Sequence, residues 1–190
     1  MTNHQRSHLP YSGACERNKE PILQVLKKYR KDLEGARVLE IGHGTGQHAE
    51  YFSQQLPVEW IPSDVRNNLW MARERLGVEP LRVQIDPELP LKNQCPQTYD
   101  HVFTANTLHI MANDLATLFC REVGDVMKSG GLLFLYGPFK WDGKYTSESN
   151  QKFDESLKER DEGMGIRDFE DIKSNLETHS LVFIDSHDLP

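Results

Sequence analysis

Cysteine is scarce in this chain and basic charge is in deficit. The 190 residues hold three cysteines, Cys15, Cys95 and Cys120, far apart, odd in number and without a C-x-x-C pair. Neither a disulfide framework nor a zinc knuckle finds support, and reduced thiols are expected. Lys plus Arg number 22 against 29 Asp plus Glu, for a formal charge of −7 and a pI of about 5.6. That balance leaves no electrostatic footprint for a phosphate backbone, so nucleic acid is a disfavoured partner. No apolar run reaches the roughly 18 residues of a spanning helix. The opening MTNHQRSHLPYSG has no apolar core of signal-peptide length. The expectation is a soluble cytoplasmic protein with no membrane partner. No internal repeat or low-complexity tract breaks the chain, and its length suits one domain over 1–190 that buries about 70% of its unfolded surface.

Helix-like and strand-like segments alternate from residue 20 onward. Residues 17–33 predict a covering helix through Ile22, Leu23, Val25, Leu26 and Tyr29. Val38, Leu39 and Ile41 begin the first strand, 47–56 a short helix, and Val58 to Asp64 the second strand, which Pro62 is expected to end early. A helix over 65–76, a third strand Leu81 to Ile85 and a fourth strand Tyr99 to Thr104 follow. A long helix over 111–128 stops at Ser129-Gly130-Gly131, and GLLFLYGPF supplies the fifth strand. The polar stretch Lys140 to Asn150 runs into a helix over 150–160, and 140–160 together form a candidate lid or substrate insertion. Residues 168–179 give the last helix, with Asp168 as N-cap, and LVFID over 181–185 a sixth strand. Such alternation implies βαβ units: an α/β, Rossmann-like, doubly wound and mostly parallel sheet with helices on both faces.

The segment VLEIGHGTGQHA (38–49) joins a buried strand to a loop with Gly42, Gly44 and Gly46. The spacing is G-x-G-x-G, with Gln47 where a dinucleotide fingerprint places its last glycine. Glu40, two residues before the first glycine, pairs with an amino group and repels phosphate. Both features favour S-adenosylmethionine (SAM) over a pyrophosphate cofactor.

Ligands in such folds sit at the carboxyl ends of the strands. Asp64 lies 18 residues beyond the last loop glycine, close to the ~20 at which an acidic residue accepts ribose hydroxyls; a solvated turn is the plainer reading. Asp86 ends the third strand and either faces the adenine amino group, with Ile85 on the ring, or forms a turn with Pro87. Asn106-Thr-Leu-His109 follows the fourth strand beside the transferred group. His109 is a candidate general base or a packed histidine, and Tyr136 lines an acceptor pocket with Phe139 or packs under the last loop. His43 and His48 lack an acidic partner at metal-ligand spacing, so no metal is expected.

With these residues in view the chain resembles class I SAM-dependent methyltransferases. It looks closest to the uncharacterised methyltransferase-like family that includes methyltransferase-like protein 26. The resemblance rests on CERNKEPIL (15–23), LEIGHGTGQHA (39–49), WIPSD (60–64), NTLHI (106–110), LYGPF (135–139), TSESNQKFD (146–154) and GIRD (165–168). It implies SAM binding by Gly42, Gly44, Asp64, Asp86 and Asn106, and it draws in Glu16, Arg17 and Asn18 over the methionine end, where Arg17 suits a carboxylate. His43 departs from the small residue usual there, and the usual seventh, antiparallel strand is absent. The function expected is methyl transfer to a small-molecule acceptor. An NAD-dependent oxidoreductase and a non-catalytic SAM-binding protein are the competing readings, and oligomeric state is open.

Overall fold

The computed structural model describes residues 8–190. Its main sheet contains β1 (Arg37–Ile41), β2 (Glu59–Asp64), β3 (Leu81–Arg82), β4 (His101–Ala105) and β5 (Leu133–Tyr136). All pairs are parallel, in the order β3-β2-β1-β4-β5. β1 is central because both of its faces are covered. Val38 packs with Leu23, Leu26, Phe52, Trp60 and Phe103, while Leu39 and Ile41 pack with Val102, Leu108, Phe119 and Val123 on the other side. Truncating such a leucine to alanine costs about 2–5 kcal/mol.

Helices α1 (Gly13–Lys28), α2 (Arg30–Leu33), α3 (Gln47–Gln55) and α4 (Leu69–Leu76) contribute to the first layer. The second layer holds α5 (Leu91–Gln94), α6 (Asn113–Glu122) and α8 (Phe169–Thr178). The expected doubly wound plan is therefore present. Among the described residues no helix is long and apolar enough to cross a membrane.

Several boundaries differ from the sequence-based expectation. Ser12 starts the first helix at Gly13 by accepting from the Cys15 amide, and the helix breaks at Tyr29 before α2. Pro62 does not end β2, which runs to Asp64. Glu59 and Ser63 bond toward β1, so Pro62 points its missing N–H the other way, where β3 pairs only from Ser63 onward. The third strand is two residues long, because Gln84 instead bonds through its backbone to the Gln94 side chain. The long helix over 111–128 is shorter, giving way at Val123–Val126 to a tight 3₁₀ turn.

The sixth strand expected at 181–185 does not form. The Leu181 amide is taken by the Leu176 carbonyl at the end of α8, Phe183 stacks edge-on against Phe169, and among the described residues no strand pairs with this segment. A β-branched run makes a strand only where a ladder partner is present.

The polar stretch, a candidate lid or substrate insertion, is built of regular elements. β6 (Phe139–Trp141) and β7 (Lys144–Tyr145) form a hairpin, with β8 (Arg167–Asp168) on its other side and α7 (Glu148–Arg160) between β7 and β8 in the chain. Asp142 and Gly143 both take left-handed backbone conformations, the geometry of a two-residue hairpin turn. Asp154 of α7 is fully buried and accepts from the Ile166 amide (2.5 Å), Tyr145 Oη (2.6 Å) and Lys158 Nζ (2.6 Å). One carboxylate thus ties α7 to β7 and to the segment entering β8. Asp168 does cap α8, accepting from the Glu170 amide.

Candidate active site

Strand order reverses between β1 and β4, so the crevice at their carboxyl ends is where a doubly wound fold binds its ligand. Two loops meet there, Gly42–Gly46 after β1 and Asn106–His109 after β4. Gly42 (φ +78°) touches the second loop: a Cβ at this position would lie 2.2 Å from the Thr107 methyl carbon. Gly44 (φ +52°) is the opposite case, since a Cβ there would meet nothing within 4 Å. The one glycine permits loop-to-loop packing and the other leaves open space.

Asp64 closes the loop from below. Its Oδ2 accepts from the Gly44 amide (2.7 Å), and its Oδ1 from the Val65 amide (2.7 Å) and the Asn68 side chain (2.9 Å). A carboxylate has about four acceptor sites, so one remains for a ligand. The His43 ring lies beside it, with Nδ1 3.9 Å from Asp64 Oδ2 and donating to the Gly44 carbonyl at 2.9 Å. That bond leaves Nε2 as an acceptor, buried and without a partner. Burial lowers the His43 pKa, against the opposing pull of Asp64.

Glu40 sits beneath the same loop, only 1% exposed. One oxygen accepts from Trp60 Nε1 at 2.8 Å, and among the described residues no cation is paired with it. Burial pushes its pKa up to about 8, with the Asp64 charge adding to the rise and the Trp60 bond opposing it.

The first helix supplies the adjoining wall. Asn18 is buried, with Oδ1 2.7 Å from His48 Nε2, which leaves His48 Nδ1 facing Cys15 Sγ at 3.9 Å. Burial lowers His48 to about 4 and raises the Cys15 thiol, so both are neutral at pH 7. Tyr136, at the end of β5, interacts with Asn18 and with the exposed Arg17. The Asn106 amide donates to the Tyr136 carbonyl at 2.8 Å, and Asn106 itself has φ +58°, a conformation asparagine tolerates.

His109 is buried, with its Nδ1 close to Gly137 and its ring edge-on to Phe153 at 5.3 Å between centroids. Burial, reinforced by the Arg167 charge, lowers its pKa to about 4.

The structure therefore brings Arg17, Asn18, Glu40, Gly42, Gly44, Gly46, Asp64, Asn106, His109 and Tyr136 to the carboxyl ends of β1, β2, β4 and β5. Asp86 stands apart in kind. It lies in a turn, accepting from the Glu88 amide at 2.9 Å four residues past the end of β3, while Ile85 belongs to the core. Among the described residues no group of three or more His, Cys, Asp or Glu is arranged to hold a metal ion.

Sequence reasoning missed the residues that hold this site. Arg75 of α4 donates from Nε to the Thr45 carbonyl (2.8 Å), fixing the glycine loop, and also reaches Glu50 and the Pro10 carbonyl. Trp60 anchors Glu40 and Thr107 fills the space over Gly42. Only Asn68 had a local signal, four residues after Asp64.

The sheet order, the glycine loop after β1 and the acidic end of β2 define the Rossmann-like fold of class I SAM-dependent methyltransferases. The chain belongs to the family described as a protein of unknown function (DUF938), matched over residues 9–190. Its fold is similar to an O-methyltransferase family protein from Burkholderia thailandensis, with TM-score 0.70 and 15% identity over 86% of this chain and 51% of that one. The pyocyanin biosynthetic protein PhzM matches with TM-score 0.70 and 17% identity, over 93% and 52% of the two chains. PigF, solved with S-adenosylhomocysteine (SAH), matches with TM-score 0.66 and 14% identity, over 76% and 44%. This chain spans about half the length of these three proteins.

Proposed function

We propose that this protein is a SAM-dependent methyltransferase acting on a small-molecule acceptor in the cytoplasm. The observation that carries the reading is the acidic floor of the glycine loop. Asp64 already occupies the Gly44 amide, a donor that a pyrophosphate would need, and Glu40 lies beneath with no cation paired to it among the described residues. The Asp64 carboxylate repels phosphates, and the Glu40 carboxyl, neutral in the absence of a cation, favours a ligand that brings positive charge rather than more negative charge. The open space at Gly44 and the spare acceptor site on Asp64 fit a nucleoside with ribose hydroxyls. The PigF complex with SAH and the resemblance to the methyltransferase-like protein 26 family support the same choice.

In this reading Asp64 accepts from the ribose, Gly42, Gly44 and Gly46 let the backbone approach, and Asp86 with Ile85 faces the adenine. Glu40, Arg17, Asn18 and Asn106 serve the amino-acid end, with Arg17 matched to its carboxylate. SAM supplies an electrophilic methyl group, so the chain's task is to align an acceptor and exclude water. Tyr136, His109 and Phe153 form the acceptor wall. A second reading, SAM binding without turnover, is favoured by His109, whose pKa of about 4 makes it a weak base at neutral pH.

Calorimetric titration with SAH and NADH, repeated on Asp64→Ala, tests the proposal. SAH binding that weakens at least tenfold in the variant is expected; binding of NADH alone overturns the reading. Formation of SAH from SAM with a metabolite pool separates the enzyme from the non-catalytic binder.

A further inference from the structure

His109 is 6% exposed, yet its ring is not tied to the protein. Among the described residues the other buried histidines are held: His48 lies between Asn18 and Cys15, His101 between the Asp32 carbonyl and the Leu132 amide, and His43 donates to the Gly44 carbonyl. Neither ring nitrogen of His109 has such a partner, and unlike His43 Nε2 neither is sealed from solvent. Buried polar groups are normally bonded, so this ring is open to a ligand. The charge beside it is positive. Arg167 of β8 straddles the His109 segment, donating to the Leu108 carbonyl (3.2 Å) on one side and the Met111 carbonyl on the other, and also to the Gly163 carbonyl (2.9 Å) and Asn113 Oδ1 (3.3 Å). All of these acceptors are neutral, and among the described residues no carboxylate pairs with the guanidinium. Asp154 acts on it from α7 but is bonded to Lys158. The Gly165 amide on the His109 carbonyl (3.0 Å) joins the two segments, and Phe153 lies edge-on to the ring. The crevice is therefore polarised, with the Asp64 carboxylate under the glycine loop and an unpaired cation beside the His109 segment.

We propose that the methyl acceptor is a carboxylic acid, bound as its anion with one oxygen accepting a hydrogen bond from the His109 ring in the field of Arg167. This names the substrate class for the functional reading above and rests on it. A neutral imidazole has one N–H to donate, and a nearby cation favours the charged form of an acid. An acceptor that arrives ionised needs no base. Its oxygen attacks the methyl carbon of SAM, the carbon–sulfur bond breaks with its electron pair left on sulfur, and the products are a methyl ester and SAH, with no proton to remove. A hydroxyl acceptor would call for a stronger base than His109, which burial and the Arg167 charge lower to about 4. The ester is uncharged and loses the attraction of Arg167, so the product is held less tightly than the substrate.

The test uses benzoate and its neutral isostere benzamide as probes, titrated at pH 7 into wild-type protein saturated with SAH and followed on the ring nitrogen signals of His109, assigned with His109→Gln. Benzoate is expected to move those signals and to bind about tenfold more tightly than benzamide. Arg167→Gln should reduce the preference to about twofold or less, and Arg167→Lys, which keeps the charge, should retain most of it. If both variants fold poorly, the wild-type comparison of the two probes decides. Equal binding of the probes, no response of His109 at about 20 mM benzoate, or a preference that survives Arg167→Gln overturns the inference while leaving the cofactor assignment intact. Failure of SAH to bind overturns the functional reading, and the acceptor class with it.

Discussion

Two buried carboxylates in this chain meet opposite fates. Asp154, in the small β7-β6-β8 sheet region, is 0% exposed, and Glu40, under the glycine loop, is 1% exposed. Burial pushes both pKa values up. At Asp154 the Lys158 ammonium, the Tyr145 hydroxyl and the Ile166 amide outweigh it, and the net shift is downward. At Glu40 a single indole N–H does not, and the carboxyl is held neutral up to about pH 8. Depth alone does not set charge; the number of donors does. A fully satisfied carboxylate is a structural tie, whereas an under-satisfied one keeps capacity for a ligand.

The largest test of this contrast is Asp154→Ala. It leaves the Ile166 amide and the Tyr145 hydroxyl without their common partner, while the half-exposed Lys158 ammonium turns to water, and is expected to cost about 2–4 kcal/mol. Chemical denaturation reads the loss, and hydrogen exchange should show it concentrated over 139–168. Glu40→Gln should act with the opposite sign. The folded protein holds the Glu40 proton up to about pH 8, while an unfolded carboxyl gives it up near 4.5, its ordinary value. The native state binds the extra proton across that window, so stability falls as pH rises through it. Relative to wild type, the variant should therefore gain about 1.4 kcal/mol per pH unit between those limits, read from denaturation midpoints. A flat difference would mean that Glu40 is ionised in the empty protein. The smallest expected effect is Tyr145→Phe, which removes one of three donors and should cost about 1.5 kcal/mol. Because Asp154 is lowered from 3.8, its contribution is present above that value and lost as pH falls through the lower folded one. Losing a donor should move that acid loss to higher pH.

The sequence made the glycine-loop region far more legible than the small sheet. Val38 to Ile41, the glycines and Asp64 carry a strand, a loop and an acidic strand end within 27 residues, and each feature is local. Asp168 could likewise be read as a cap from its neighbours. The small sheet was hidden because β8 pairs with β6 at a sequence separation of 28 residues, although Asp142-Gly143 between Phe139–Trp141 and Lys144–Tyr145 carried a local hairpin signal. LVFID misled in the other direction: its propensity is for a strand, but the end of α8 captures its first amide. The site residues followed from strand ends, while their supports, Trp60 on Glu40, Arg75 on Thr45 and Thr107 on Gly42, are long-range contacts that no spacing rule encodes.

The contact between Gly42 and Thr107 has a thermodynamic consequence. With no side chain on one loop and a methyl from the other filling its place, the two loops are interlocked, and neither shifts toward the other without a clash. Whatever repositions the Asn106–His109 segment therefore repositions the backbone that cradles the neighbouring ligand. Occupancy on one side of the crevice is linked to affinity on the other, and by reciprocity the free energy of that linkage is the same in both directions.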